Sequence, residues 1–249
     1  MLVAAAFLPH PPALVPELAA GAASELAGVR EACVTALQRV LEANADLVVV
    51  VGDDRVRSTY AAGTAGSFAG FGVPVYVSLP GSEVDGAGAG LPLSLAVAAW
   101  LMESAGPWPL VRGEGVPATT SSSDAGALGA RWAHSAARVA MIAMGDGAAT
   151  LTVKAPGYLV EGAAQWQKGV TQALVDADVV ALAAIEPRDA HTFRAAGRVA
   201  WQVVAGAAGE SADDQLAQSD GGHWVGEMLA DEAPYGVAYP VALWQRASA

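Results

Sequence analysis

Long apolar runs alternate along the chain with stretches in which apolar residues recur at helical spacing. The runs are "LVAAAFL" at Leu2–Leu8, "DLVVVVGDD" at 46–54 and "VAMIAMGDG" at 139–147. A strand that is covered on both faces has such a run, because its side chains meet an apolar layer in both directions. We therefore predict that these three runs are buried strands of a largely parallel sheet.

The stretches between the runs predict helices. The repeat from Leu26 to Leu41 predicts a helix that Ser24 caps, and "TTSSSDAG" provides capping residues for another helix. Helices after the first are predicted over 91–104, 125–138, 161–175, 187–196 and 199–208. "VPVYVSLP" at 73–80 predicts a further strand, and "GSEVDGAGAG" at 81–90 predicts a flexible loop.

The C-terminal part of the chain has a different pattern. "HWVGEMLADEAPYGVAYPVALW" at 223–244 contains two extended stretches on either side of a "DEAPYG" turn, which indicates a hairpin. Strands that alternate with helices, followed by such a hairpin, indicate an α/β fold. We predict a single three-layer domain over 1–249, with a central mixed, mostly parallel sheet flanked by helices and ending in the hairpin.

Composition and charge narrow the range of partners and locations. The net charge is −12 and the 13 Lys and Arg residues are scattered, which argues against a nucleic-acid or anionic-membrane partner. No Lys or Arg precedes Arg30, and three prolines at positions 9–12 interrupt the first apolar run, so neither a signal peptide nor a membrane span is expected. The single cysteine, Cys33, excludes an internal disulfide and a multi-cysteine metal site. We expect a cytoplasmic protein.

Polar residues follow three of the predicted strands. His10 lies between prolines after the first strand, Asp53 and Asp54 end the second, and Asp146 follows a later one. Because parallel strands place ligands at their carboxyl ends, these four residues are expected to share one crevice. Histidine with carboxylate is a ligand set for non-haem iron or zinc. The alternative is structural, since an aspartate after a strand often caps the following turn.

Several segments together resemble a known family. The opening strand with "PHPP", the buried "VVVVGDD", the "GDG…KAPGY" segment and the terminal "APYGVAYPVALW" resemble the class III extradiol ring-cleavage dioxygenases, in particular their catalytic B-subunit type. The similarity extends over nearly the whole chain. It implies an α/β fold, a non-haem Fe(II) centre and oxidative opening of catechol-type rings.

The resemblance implies a role for four positions, and only one of them carries the family residue. His10 matches the first iron ligand, whereas Asp53 stands where the second histidine ligand is expected. Ala149 stands at the position of the acid/base histidine, and Ala195 at that of the glutamate ligand. His191, four residues before Ala195, is expected one helical turn away and could complete a metal set with His10 and Asp53.

Three functions follow from these residues. The first is an extradiol-dioxygenase-like protein with a degenerate or rebuilt site for Fe(II) or another divalent metal, with doubtful ring cleavage, an aromatic small-molecule ligand and a homodimeric assembly. The second is a non-catalytic binding or scaffold protein that needs no metal. The third is a metal-dependent hydrolase that uses Asp53, Asp54 and Asp146, of which Asp54 and Asp146 are the candidate catalytic residues.

Overall fold

The computed structural model describes residues 1–82, 90–213 and 223–247. Within this part of the chain, a seven-stranded sheet has the order β3-β6-β2-β7-β1-β9-β8, and β4 and β5 form a small second sheet. The strands are β1 (Leu2–Leu8), β2 (Leu47–Asp53), β3 (Ser58–Tyr60), β4 (Ala65–Ser67), β5 (Tyr76–Ser78), β6 (Leu110–Val116), β7 (Val139–Met144), β8 (Trp224–Glu232) and β9 (Tyr239–Arg246).

The four central strands are parallel and the outer ones are antiparallel. β6, β2, β7 and β1 run in one direction, whereas β3 lies antiparallel on β6. β9 pairs antiparallel with β1, and β8 with β9, so that the last two strands form a hairpin. The predicted α/β class, the mixed sheet with its parallel centre and the C-terminal hairpin are confirmed.

Helices cover both faces of the sheet. They are α1 (Pro16–Ala19), α2 (Ala27–Glu42), α3 (Leu93–Ala105), α4 (Ser122–Ala133), α5 (Ala163–Val175), α6 (Val179–Ala183), α7 (Pro187–Thr192) and α8 (Arg198–Asp213). None of the helices in the described ranges has the length and apolar character needed to cross a membrane.

Successive residues of one strand contribute to two different cores. In β1, Ala6 and Leu8 pack in the core beneath α2 and α3, whereas Ala5 and Phe7 pack in the core beneath α4, α5 and α8. This arrangement explains the uninterrupted apolar runs, since neither face of a central strand meets water. It also confirms the three layers.

The segment predicted as a strand over 73–80 is not part of the main sheet. Only Tyr76–Ser78 is a strand, and it pairs antiparallel with β4. Pro74 and Pro80 flank it, and a proline cannot donate to a ladder, which limits the strand to its short central part. The loop predicted at 81–90 lies largely outside the described residues.

The sheet contains one inner strand that the sequence pattern does not predict. β6 reads "LVRGEGV", in which glycine alternates with charged residues rather than with apolar ones. Its glycines are needed for packing, because a Cβ at Gly113 would lie 3.0 Å from methyl groups of Leu79 and Leu95. A Cβ at Gly115 would lie 2.8 Å from the Cβ of Asp54.

The two helix starts that were predicted to be capped differ. Ser121 caps α4, since its hydroxyl accepts a hydrogen bond from the Asp124 N–H and donates one to the Asp124 carboxylate. Ser24 does not cap α2, and that prediction was wrong. It lies in a 3-10 segment, Ala20–Leu26, and α2 begins at Ala27 without a side-chain cap.

Candidate functional site

Three of the polar residues expected to converge do so at the carboxyl edge of the sheet. His10 follows β1, Asp53 ends β2 and Asp146 follows β7, and these strands are mutually parallel through β7. Because parallel strands end at the same edge, their terminal residues come together there. The prediction that "PHPP" and "GDD" share one edge is confirmed.

His10 lies between the two carboxylates. Its Nε2 is 3.3 Å from Oδ1 of Asp53, and its Nδ1 is 4.0 Å from Oδ1 of Asp146. The residue is only 7% exposed, and Nδ1 is buried without a hydrogen-bond partner among the described residues. His10 and Asp53 therefore lie together, as expected of residues that share one crevice. Three prolines around His10 fix the loop that presents the ring.

Asp146 is bound to the loop that carries His10. Its Oδ1 accepts a hydrogen bond of 2.8 Å from the backbone N–H of His10. Burial raises the pKa of this carboxyl above its usual range, and the negative charge of Asp53 acts in the same direction. The positive charge and the N–H of His10 oppose that rise. The Asp146 side chain is 19% exposed, so this partly buried acid has a pKa that burial raises and that the neighbouring histidine lowers.

Asp53 is held through its backbone and leaves its side chain accessible. The Ser94 hydroxyl donates a 2.9 Å hydrogen bond to the Asp53 carbonyl. Gly52 allows this contact, because a Cβ there would overlap the Ser94 side chain. The Asp53 side chain is 51% exposed, so its carboxylate can accept hydrogen bonds from a molecule in the crevice.

Asp54 does not join the cluster. Its Oδ2 accepts a 2.6 Å hydrogen bond from the Tyr60 hydroxyl, and its Oδ1 accepts one from the Arg55 N–H. The pKa of Tyr60 is raised to about 12, chiefly by burial and then by the hydrogen bond to Asp54. Asp54 therefore has the structural role that the sequence analysis gave as the alternative, which is to stabilise the turn after its strand. This arrangement weakens the support for a three-aspartate hydrolase.

Glu114 lies close to this edge and was not among the candidate residues. It is 1% exposed on β6 and accepts hydrogen bonds from Arg57 and Thr59, each 2.9 Å long. These hydrogen bonds from Arg57 and Thr59 explain how the Glu114 carboxylate is tolerated in the interior. Sequence reasoning missed it because "LVRGEGV" was not recognised as a strand.

The helix that carries His191 is shorter than predicted. α7 ends at Thr192, and Arg194 adopts the left-handed conformation with φ of 53°. The Ala195 N–H then bonds back to the Ala190 carbonyl. His191 and Ala195 therefore do not lie one turn apart on one helix, and that prediction was wrong.

His191 lines a separate cavity of about 470 Å³ at the start of α8. Its walls are Ala118, Pro187, Ala190, His191, Arg194, Ala195, Ala196, Arg198 and Val199. His10, Asp53 and Asp146 are not among them. The cavity adjoins the carboxyl edge, because the Gly197 N–H donates to the Asp146 carbonyl.

The two alanines at the family positions lie on adjoining segments. The Ala149 N–H donates a 2.9 Å hydrogen bond to the carbonyl of Phe193, two residues before Ala195. Ala149 is partly buried against the core beneath α2 and α3. A methyl side chain cannot transfer a proton or bind a metal ion.

The described side chains do not fit a two-histidine, one-carboxylate iron centre. Within the described ranges, no group of three or more His, Cys, Asp or Glu side chains is close enough to hold a metal ion. His10 Nε2 and Asp53 Oδ1 give two donor atoms, and His191 lies in the neighbouring cavity beside two arginines. The proposed metal set of His10, Asp53 and His191 stays a prediction.

Comparisons with known proteins support the fold and leave the activity open. No family model and no curated protein matches the chain. Among solved structures, the chain is similar to an uncharacterised protein, JW3007, from Escherichia coli K12. The TM-score is 0.58 at 13% sequence identity, and the match covers 98% of this chain and 99% of the other. At this identity the similarity shows a shared fold.

Proposed function

We propose that this chain is a class III extradiol-dioxygenase-like protein that binds a small hydroxylated aromatic molecule at the carboxyl edge of its sheet without cleaving the ring. One observation carries the proposal. A polar cluster of His10, Asp53 and Asp146 occupies this edge, while the positions that the family resemblance assigns to the acid/base and the third ligand hold Ala149 and Ala195.

The cluster supports ligand binding because, as a purely structural element, it would lower the stability of the folded protein. A buried histidine ring without a partner at Nδ1 loses hydration that the core does not restore, a cost of roughly 1–3 kcal/mol. Asp53, by contrast, is half exposed beside that ring. Its carboxylate is suited to accept hydrogen bonds from the hydroxyl groups of a ligand.

The alanines support the absence of ring cleavage. A general acid/base contributes about 10²- to 10⁴-fold to a rate, and neither alanine can supply it. The fold alone does not carry an activity when the reacting groups are replaced. The cytoplasmic location and the homodimeric assembly expected from the sequence stay predictions.

Catechol and protocatechuate are the probes for the test, under aerobic conditions with added Fe(II). We expect binding by isothermal titration calorimetry, its loss in Asp53→Ala, and no ring-opened product by absorbance. Glu31→Ala, which removes an exposed carboxylate of α2, is the control and should bind like the wild type. Ring-opened product at an enzymatic rate, or equal binding by Asp53→Ala and the wild type, would contradict the proposal.

A divalent-metal site is the second candidate, and one distance favours it. His10 Nε2 and Asp53 Oδ1 are 3.3 Å apart, close enough to share one ion. Elemental analysis of protein purified without chelators is the test. Bound metal in the wild type and its loss in His10→Ala would favour this candidate over a metal-free crevice.

A further inference from the structure

Three basic residues line the cavity at the start of α8, in a protein with a net charge of −12. His191, Arg194 and Arg198 contribute to its wall, together with small apolar residues. No carboxylate forms an ion pair with any of the three among the residues that the structure describes. The acidic residues of this segment, Glu186 and Asp189, are exposed and do not line the cavity.

Arg198 is an internal cation with neutral partners. It is 3% exposed, and its guanidinium donates to the side chain of Gln202 and to the carbonyls of Ala118 and Thr120. These hydrogen bonds use three of its five N–H donors, so two donors have no partner in the described part of the chain. An arginine remains protonated even when burial lowers its pKa, as it does here. A buried charge of this kind is stabilised by an anion.

Arg194 occupies a backbone position that normally favours glycine. Its φ is 53°, and it follows the last turn of α7, where the Ala195 N–H bonds to the Ala190 carbonyl. Glycine is the usual residue at such a helix end, because a Cβ is strained in the left-handed region. The arginine thus has an unfavourable backbone conformation at the point where the residue lines the cavity.

We propose that this cavity binds a small organic anion through a carboxylate or phosphate group. Guanidinium groups such as those of Arg194 and Arg198 form charge-assisted hydrogen bonds with oxyanions of this kind, and His191 provides a further donor. The volume of about 470 Å³ is that of a small-molecule site. The apolar part of the wall, including Pro187 and Val199, suits the body of the ligand.

The location of the cavity adds to the preference for an anion over a metal cation. α8 begins at Arg198, and the N-terminus of a helix carries a partial positive charge. Two guanidinium groups and this dipole repel a metal ion and attract an oxyanion. The site includes none of His10, Asp53 and Asp146, so it stands independently of the function proposed above.

Calorimetric titration with benzoate, phenyl phosphate and inorganic phosphate tests the site and separates the two oxyanions. We expect at least one of them to bind, benzamide not to bind, and affinity to fall as salt is raised. Arg194→Gly should weaken binding about tenfold or more, because a charge-assisted contact is lost. Its melting temperature should equal or exceed that of the wild type, since glycine adopts the same φ without strain.

The matched control is Arg188→Ala, which removes an equal charge from an exposed residue of α7 outside the cavity wall. It should bind the anion like the wild type. His191→Gln should weaken binding and leave the fold intact, because the side chain is exposed. The proposal is overturned if none of the three anions binds at millimolar concentration, or if Arg194→Gly and Arg188→Ala bind equally well.

Discussion

His10 reaches Asp53 across the end of a strand that lies between their own two strands. Nε2 of His10 and Oδ1 of Asp53 are 3.3 Å apart, although β7 separates β1 from β2 in the sheet. Asp146, which follows β7, accepts a hydrogen bond from the His10 backbone N–H. The order of the strands therefore brings His10 to two carboxylates, of which Asp53 is 51% exposed and Asp146 is 19% exposed.

Removal of Asp146 should destabilise the protein more than removal of Asp53. Asp146→Ala leaves the His10 N–H without its acceptor, and an unsatisfied buried donor costs about 1–3 kcal/mol. Asp53 is half exposed, so Asp53→Ala should cost less than about 1 kcal/mol. Urea unfolding of both variants measures the difference. Equal losses would show that Asp146 does not anchor the His10 loop.

The stability that Tyr60 contributes should decrease in alkaline solution. Its pKa is raised to about 12 in the folded protein, whereas a tyrosine in an unfolded chain titrates near 10. Between these values the unfolded state releases the proton first, so the free energy of unfolding falls as pH rises. The free energies of unfolding of the wild type and Tyr60→Phe should therefore differ less at pH 11 than at pH 9. Urea unfolding at each pH measures this.

The exposed Tyr76 is the control for that experiment. Its side chain is 72% exposed, so Tyr76→Phe should follow the wild type at each pH. If the difference in the free energy of unfolding between the wild type and Tyr60→Phe stays constant up to pH 11.5, Tyr60 has an ordinary pKa.

Chelation should leave the thermal stability unchanged. The described side chains form no group of three metal ligands, so dialysis against EDTA should shift the melting temperature by less than about 1 °C. Differential scanning calorimetry before and after dialysis measures the shift. A fall of several degrees that Fe(II) or Zn(II) reverses would favour the metal-site candidate instead.

Two glycines of α4 should respond in opposite ways to the same substitution. A Cβ at Gly129 would overlap the Val203 carbonyl and lie 2.7 Å from the Ala207 nitrogen, both in α8. Gly129→Ala should therefore cost about 1–3 kcal/mol through overpacking. A Cβ at Gly126 meets nothing within 4 Å, so Gly126→Ala should stabilise the helix by up to about 1 kcal/mol. Thermal unfolding of the two variants decides between these outcomes.

The central strands and the edge of the sheet could be predicted because their causes are local. A run such as "LVVVV" implies burial on both faces, and parallel strands bring their last residues together. His10 and Asp53 were found in this way. The role of Asp54 was beyond such reasoning, since it depends on the position of the Tyr60 hydroxyl after a turn.

The end of α7 shows why the second half of the site was harder to predict. Arginine is a good helix former, so nothing in "AHTFRAAG" indicates that Arg194 has a positive φ. Tertiary packing of this segment overrides the local preference. β6 was missed for a related reason. Its glycines are required because the side chains of Leu79, Leu95 and Asp54, which belong to other segments, leave no room for a Cβ.

The position of β1 has a consequence for how the protein is made. This apolar strand precedes both of its neighbours in the sheet, β7 and β9, in the order in which the chain is synthesised. Leu2–Leu8 therefore remains without a ladder partner until β7 has left the ribosome, and its other side remains unpaired until β9 follows. Pairing over such a sequence separation is slow, and an unpaired apolar strand is prone to aggregate meanwhile. Loss of β9 would leave one side of β1 open as a template for other chains.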